Sequence, residues 1–135
     1  MLIVDTGIFI AAGDRNEPNH QACGDLLRSR TDLAIVAPAV AETAWLIENR
    51  LGPAAEASFL RLVMSDRFDI VDLVPDDYER CLELIETYDD LGLGFVDASI
   101  VAVAERLGQS TLATLNRRDF AVVRPAHRDA FELVP

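Results

Sequence analysis

The chain has 135 residues, 50% apolar and 26% charged, the size and balance of one globular domain with room for a proper core. Its net charge is −11, so the molecule as a whole repels nucleic acid. Its longest nearly uncharged run, Leu91 to Ala104, is broken by Asp97 and is too short to span a bilayer.

Met1 to Val4 reads as a short, fully buried strand of the kind found in parallel sheets. It ends on Asp5, followed by Thr6 and Gly7, and the apolar run then resumes from Ile8 to Ala12. A carboxylate set into a core-forming stretch is costly unless it is hydrogen-bonded, paired or bound to a metal. Asp14 to Asn19 is loop-like, Gln21 to Arg30 reads as a helix, and Leu33 to Val36 is a second apolar strand. Pro38 suits a helix start, Ala39 to Leu51 has helical spacing, Gly52-Pro53 breaks it, and Ala54 to Ser65 is another helix. Phe68 to Leu73 is a third strand, and Pro75 opens a helix that runs to Tyr88. Gly92 and Gly94 make a turn before a helix from Phe95 to Leu107, and Ser110 to Leu115 is a fourth strand. TLATLNRRDF reads strand, turn, short helix, and Phe131 to Val134 completes a short last strand. This alternation predicts a single α/β domain over residues 1–135, a parallel sheet covered on both faces. In such folds ligands bind outside the carboxyl ends of the strands, which is where Asp5 stands.

Three further acids are candidate partners for Asp5. Glu42, in APAVAETAWLI, has Trp45 and Leu46 at i+3 and i+4, an apolar face; alone it reads as a half-exposed helix residue. Asp97 lies in GLGFVDASIVAVAERLG, apolar nearly all round, and reads equally as a helix cap or a site residue. Asp119 alone reads as a partner for Arg117 or Arg118. Thr114 and Asn116 are polar where the fourth strand leaves the core. Asp5, Asp97 and the 114–119 segment each lie at or just after the end of an apolar run, so the sheet can bring them to one edge. There is no lysine, and no arginine lies within six residues of Asp5, Glu42 or Asp97. A hard divalent cation, Mg²⁺ or Mn²⁺, is then the natural counter-charge.

LIVDTG, AETAWLI, GFVDASIVAVAERLG and ATLNRRDF, in this order and spacing, resemble the motifs of PIN-domain ribonucleases, and specifically the VapC toxins of VapBC toxin–antitoxin pairs. The resemblance covers the whole chain and implies a three-layer α/β/α PIN-like fold. It implies Mg²⁺ or Mn²⁺ held by Asp5 and Asp97, with Glu42 and the 116–119 segment completing an acidic pocket and Thr6 and Thr114 in support. Many relatives carry an acid where this chain has Asn116, so the fourth acid is assigned to Asp119. The resemblance also implies a structured RNA substrate such as transfer or ribosomal RNA, a cognate VapB-type antitoxin, and a homodimer. Arg117, Arg118, Arg124 and Arg128 form a local basic exception suited to RNA, and Arg15 lies near the end of the first strand.

Two other readings compete. An aspartyl-phosphate phosphotransfer domain would want a second Asp two residues after the nucleophile, where this chain has Gly7, and a lysine, which it lacks. A PIN-like binding module without metal would not need all four acids. Cys23 and Cys81 stand in no metal-ligand spacing; with no leader-like segment in front they read as packed thiols of a cytoplasmic protein. The acids Asp76, Asp77, Glu79, Glu83, Glu86, Asp89 and Asp90 read as a solvated helix face.

Overall fold

A computed structural model describes residues 1–135. Five strands, β1 (Leu2–Val4), β2 (Leu33–Val36), β3 (Phe68–Val71), β4 (Thr111–Ala113) and β5 (Glu132–Val134), form one sheet in the order β3-β2-β1-β4-β5. Every neighbouring pair is parallel. The central strands are uninterrupted apolar runs, LIV and LAIV, buried along their whole length, as strands covered on both faces must be. At the edge, β3 alternates less cleanly and exposes Asp69 and Ile70.

Seven helices flank the sheet: α1 (Thr6–Gly13), α2 (His20–Ser29), α3 (Ala37–Leu51), α4 (Pro53–Val63), α5 (Pro75–Thr87), α6 (Phe95–Leu107) and α7 (Arg117–Val122). Right-handed crossovers put α1 to α4 on one face and α5 to α7 on the other. The packing agrees: α1 meets α2 and α3, α3 meets α4, and α5 meets α6. Gly52 joins α3 to α4 at φ +87° and Gly108 ends α6 at φ +69°, left-handed conformations open to glycine at little cost. One contiguous cluster of 32 buried apolar residues fills both interfaces with the sheet. Cys23 and Cys81 are buried free thiols within it. No helix is long and apolar enough to cross a membrane.

The expected strand-and-helix alternation is present, with two differences. The run after Asp5, read only as core-forming, is the helix α1. Its buried residues Ile8, Phe9, Ile10 and Ala11 are consecutive, so it shows none of the 3.6-residue periodicity that marks a helix with one wet face. The second difference is Asp77, which the sequence placed on a solvated face. It is buried at 3% exposure. Its Oδ2 accepts the Val74 N–H at 2.9 Å, which caps α5, and both its oxygens accept Arg106 Nε of α6 at 3.1 Å. Beside it, Arg80 forks onto both oxygens of Glu105 at 2.9 Å. These two pairs fix α5 against α6, and so set where α6 begins.

Asp77→Ala leaves a guanidinium and a backbone N–H without their shared acceptor. Arg106 is partly exposed and regains water, so the expected loss is about 2–3 kcal/mol of unfolding free energy, to be read from urea denaturation. A loss within a few tenths of a kcal/mol would mean that water replaces the pair.

Candidate active site

The chain runs outward from β1 to β2 and β3, then returns to the other side of β1 to lay down β4 and β5. The order therefore reverses between β1 and β4, and a crevice opens at their carboxyl ends, the usual ligand position in an open parallel sheet. Helices that leave a strand begin at this same edge, and α6, which leads back into β4, begins there too. The first turns of α1, α3, α6 and α7 are thereby brought to the crevice.

Asp5 sits directly after β1, its N–H donating to Ala113 of β4 at 2.8 Å. Its Oδ1 accepts the Thr6 N–H at 2.7 Å, which caps α1, and its Oδ2 accepts the Thr114 hydroxyl at 2.7 Å. Thr114 Oγ1 also accepts the Asn116 N–H at 3.0 Å. Behind them the buried Thr43 hydroxyl of α3 donates to Thr6 Oγ1 at 3.2 Å.

Glu42 lies in the second turn of α3, half-buried, and lines the same cleft as Asp5 and Asp97. Of its two apolar neighbours only Leu46 shares the cleft; Trp45, expected on the same apolar face, is 62% exposed. Asp97 is the third residue of α6, whose N-cap is Gly94, so its carboxylate does not serve as the cap. Asn116 caps α7, and its side-chain amide donates to Asp119 Oδ2 at 3.0 Å and to Asp97 Oδ2 at 3.4 Å. It bridges the two acids rather than substituting for one. Asp119 Oδ1 lies 3.2 Å from Arg118 Nε, but the N–H is not aimed at it, and that buried oxygen has no hydrogen-bond partner. Asp119 is not part of the cleft wall and reaches Asp97 through Asn116.

The cleft has a volume of about 340 Å³. Its wall includes two charged residues that motif reading missed, Glu17 from the α1–α2 loop and Arg50 from the last turn of α3. Arg50 corrects the expectation that no cation stands near the acids. It is eight residues from Glu42, two turns along one helix face. It forms no ion pair with any of them, so their charge stays uncompensated. Of the arginines assigned to RNA, Arg15 and Arg128 are exposed, Arg118 faces Asp119, Arg117 donates to the Leu133 and Pro135 carbonyls, and Arg124 donates to that of Ala121. A second cleft, of about 330 Å³, is lined chiefly by apolar side chains of α1, α3 and α4 and holds none of the carboxylates.

The electrostatics follow from this crowding. Burial, then the charges of Asp5, Glu42 and Asp119, push the Asp97 carboxyl up to about 7 against the opposing Asn116 hydrogen bond. Burial also raises Asp5, with hydrogen bonds from Thr114 and Thr6 pulling the other way. No three His, Cys, Asp or Glu side chains converge tightly enough to enclose a metal ion. The donors are oxygen only, with one unpartnered buried carboxylate oxygen nearby. That set fits Mg²⁺ or Mn²⁺, which take one or two carboxylates and fill their remaining positions with water and phosphate; a closed zinc site would need more.

A family model described as PIN domain matches residues 2–124. The chain belongs to the PIN-domain family. Ribonuclease VapC26 of Mycobacterium tuberculosis (strain ATCC 25618 / H37Rv) is 31% identical over 135 residues, covering 99% of this chain and 100% of the relative, which places this PIN domain among the VapC ribonucleases. Its fold is similar to that of the sarcin-ricin-loop-cleaving toxin VapC20 of M. tuberculosis, with TM-score 0.77 and 23% identity over 83% of this chain and 87% of the other. It is also similar to VapBC2 from Rickettsia felis, bound to a promoter DNA fragment, with TM-score 0.68 and 21% identity over 98% of this chain and 96% of that one. The aspartyl-phosphate alternative falls with this assignment.

In the metal-free PIN domain, folding favours the protonated forms of Asp5 and Asp97, because both titrate above an unfolded carboxylate. That contribution is complete below pH 4 and is lost as pH rises through about 7. The thermal midpoint of Asp97→Asn, neutral at every pH, should therefore fall less than that of the parent chain between pH 4 and 7. Midpoints taken in EDTA across this window test it; parallel curves would mean that Asp97 does not titrate there.

Proposed function

We propose that this PIN domain is a Mg²⁺- or Mn²⁺-dependent endoribonuclease and the toxin of a type II toxin–antitoxin pair. The observation that carries the reading is the meeting of Asp5, Glu42 and Asp97 in one cleft at the β1–β4 switch point. The carboxyls of Asp5 and Asp97 are raised by burial and by the neighbouring negative charge, and all three acids sit within a VapC-type sequence. Asp5 and Asp97 would hold the ion, Glu42 and Asp119 would add charge or take a proton through water, and Asn116, Thr6 and Thr114 would fix the carboxylates. When bound, the ion supplies positive charge against the non-bridging phosphate oxygens and acidifies a water near neutral pH.

The chain's own residues do the rest. Thr114 and the Thr6 N–H hold Asp5 in one rotamer by both its oxygens. Asn116 holds Asp97 and Asp119 together despite their repulsion. In-line attack by water on the phosphodiester needs no ribose 2′-hydroxyl. Hydrolysis by water leaves 5′-phosphate and 3′-hydroxyl ends.

The substrate we favour is a structured RNA of the transfer or ribosomal class, drawn by the ion and by exposed arginines such as Arg15 and Arg128. A chain of net charge −11 suits a basic, VapB-type antitoxin whose arginine enters the carboxylate cleft. Pairing into a homodimer and a cytoplasmic location complete the proposal. End-mapping of cellular RNA after brief expression of the protein tests the reading directly: discrete cuts bearing 5′-phosphate support it, and an unaltered RNA population refutes it.

Cleavage should stop in EDTA and return with Mg²⁺ or Mn²⁺. Asp5→Asn and Asp97→Asn should each lower cleavage at least about a hundredfold with the fold intact by circular dichroism. Near-parental cleavage by either variant removes that residue from the ion-binding set.

The 116–119 segment separates by charge. Asp119→Asn removes a carboxylate that raises Asp97, whereas Asn116→Ala removes a neutral bridge. The first should cost more in cleavage rate and in Mn²⁺ affinity, measured side by side. Equal values for Asp119→Asn and the parent chain would reduce the acidic set to Asp5, Glu42 and Asp97.

A further inference from the structure

We propose that Arg50 is a substrate-binding residue that holds an RNA phosphate adjoining the one that is cleaved. This rests on the ribonuclease reading above and assigns a role within that cleft. The starting point is a census of arginines. Five of the twelve pair with carboxylates, and Arg67, Arg117 and Arg124 donate to backbone carbonyls. Arg15, Arg50, Arg61 and Arg128 keep all their donors free, and of these only Arg50 lines the cleft.

The position is built by α3. Glu42, Leu46 and Arg50 fall at i, i+4 and i+8 and line the cleft from one helix face. Glu42 and Arg50 are therefore about 12 Å apart along the axis, with side chains leaning back toward the helix N-terminus. Asp5, Glu42 and Asp97 share the cleft wall, and Arg50 brings the one guanidinium to it from two helical turns beyond Glu42. The last turn of α3 suits a cation through the helix dipole, but the dipole favours no face, and this side chain takes the cleft face. Glu17 lines the cleft too, yet stays beyond ion-pair distance of Arg50. A planar fork of five donors with no carboxylate partner is matched to a phosphodiester. An RNA strand lying along α3 would set its scissile phosphate at the carboxylates and a neighbouring phosphate at Arg50.

The test is steady-state cleavage, with Mg²⁺, of an RNA oligonucleotide that the parent chain cuts, across a salt series, for Arg50→Gln and Arg50→Lys. Arg50→Gln should raise KM about tenfold with kcat within about twofold, because the contact is to a non-reacting phosphate. The slope of log KM against log salt should shrink by about 0.7. Arg50→Lys should restore the slope and part of the KM, since lysine keeps the charge but loses the fork. Unchanged KM and slope in Arg50→Gln overturn the inference, as does a fall in kcat at constant KM. If Arg50→Gln fails to fold, Arg50→Lys decides alone: a KM raised about threefold at the parent slope supports the contact, and a parental KM overturns it. A parent chain that cuts no RNA overturns the ribonuclease reading and this inference together, whereas a parent and an Arg50→Gln variant that cut identically overturn this inference alone.

Discussion

One carboxylate ties the first strand to the fourth. Asp5 uses Oδ2 to accept the Thr114 hydroxyl and Oδ1 to start α1. Without these bonds a charge at 7% exposure would be intolerable. The bonds lower the cost without removing the charge, since neither donor is a cation. The fold therefore concentrates negative charge at its switch point and leaves it unneutralised. Asp97 bears the consequence most plainly, because three other acids act on it and only one amide opposes them.

The layers around this point serve to fix its geometry. β2 passes into α3 without an intervening loop, so Glu42 is set by the strand end rather than by a flexible connection. α6 is held to α5 by the pair of buried Asp77 with Arg106 and by the Arg80–Glu105 fork, and its long buried run from Ala98 to Ala104 leaves no freedom to slide. Asp97 is thus positioned by contacts well away from the cleft.

Much of this was legible in the sequence because each central strand is a short apolar run that stops on a polar residue. Asp5 and Thr114 announce themselves in that way, and Asp97 does so by being the one charge in the apolar run from Leu91 to Ala104. What was not legible has physical reasons. α1 is apolar on every side, and such a helix carries no periodic signature. Asp77 looks like its neighbours in an acidic stretch, and only the approach of Arg106 from another helix distinguishes it. Arg50 is eight residues from Glu42, beyond the six-residue span in which no arginine stands, although the 3.6-residue repeat from Glu42 through Leu46 leads to it. Glu17 had no such signal, since its place depends on how the α1–α2 loop folds back. Asn116 reads as a missing acid, while the geometry makes it the link between two present ones.

The bond between Thr114 and Asp5 spans 109 positions, and the wall of the cleft draws on residues from 5 to 116. Parallel pairing of this kind closes long loops and comes late in folding. A nascent chain still lacking β4 holds Asp5 without its hydroxyl partner and without the second side of the crevice. The reactive arrangement is therefore a property of the nearly finished polypeptide, and a ribosome making this protein is not exposed to it while most of the chain is still being synthesised.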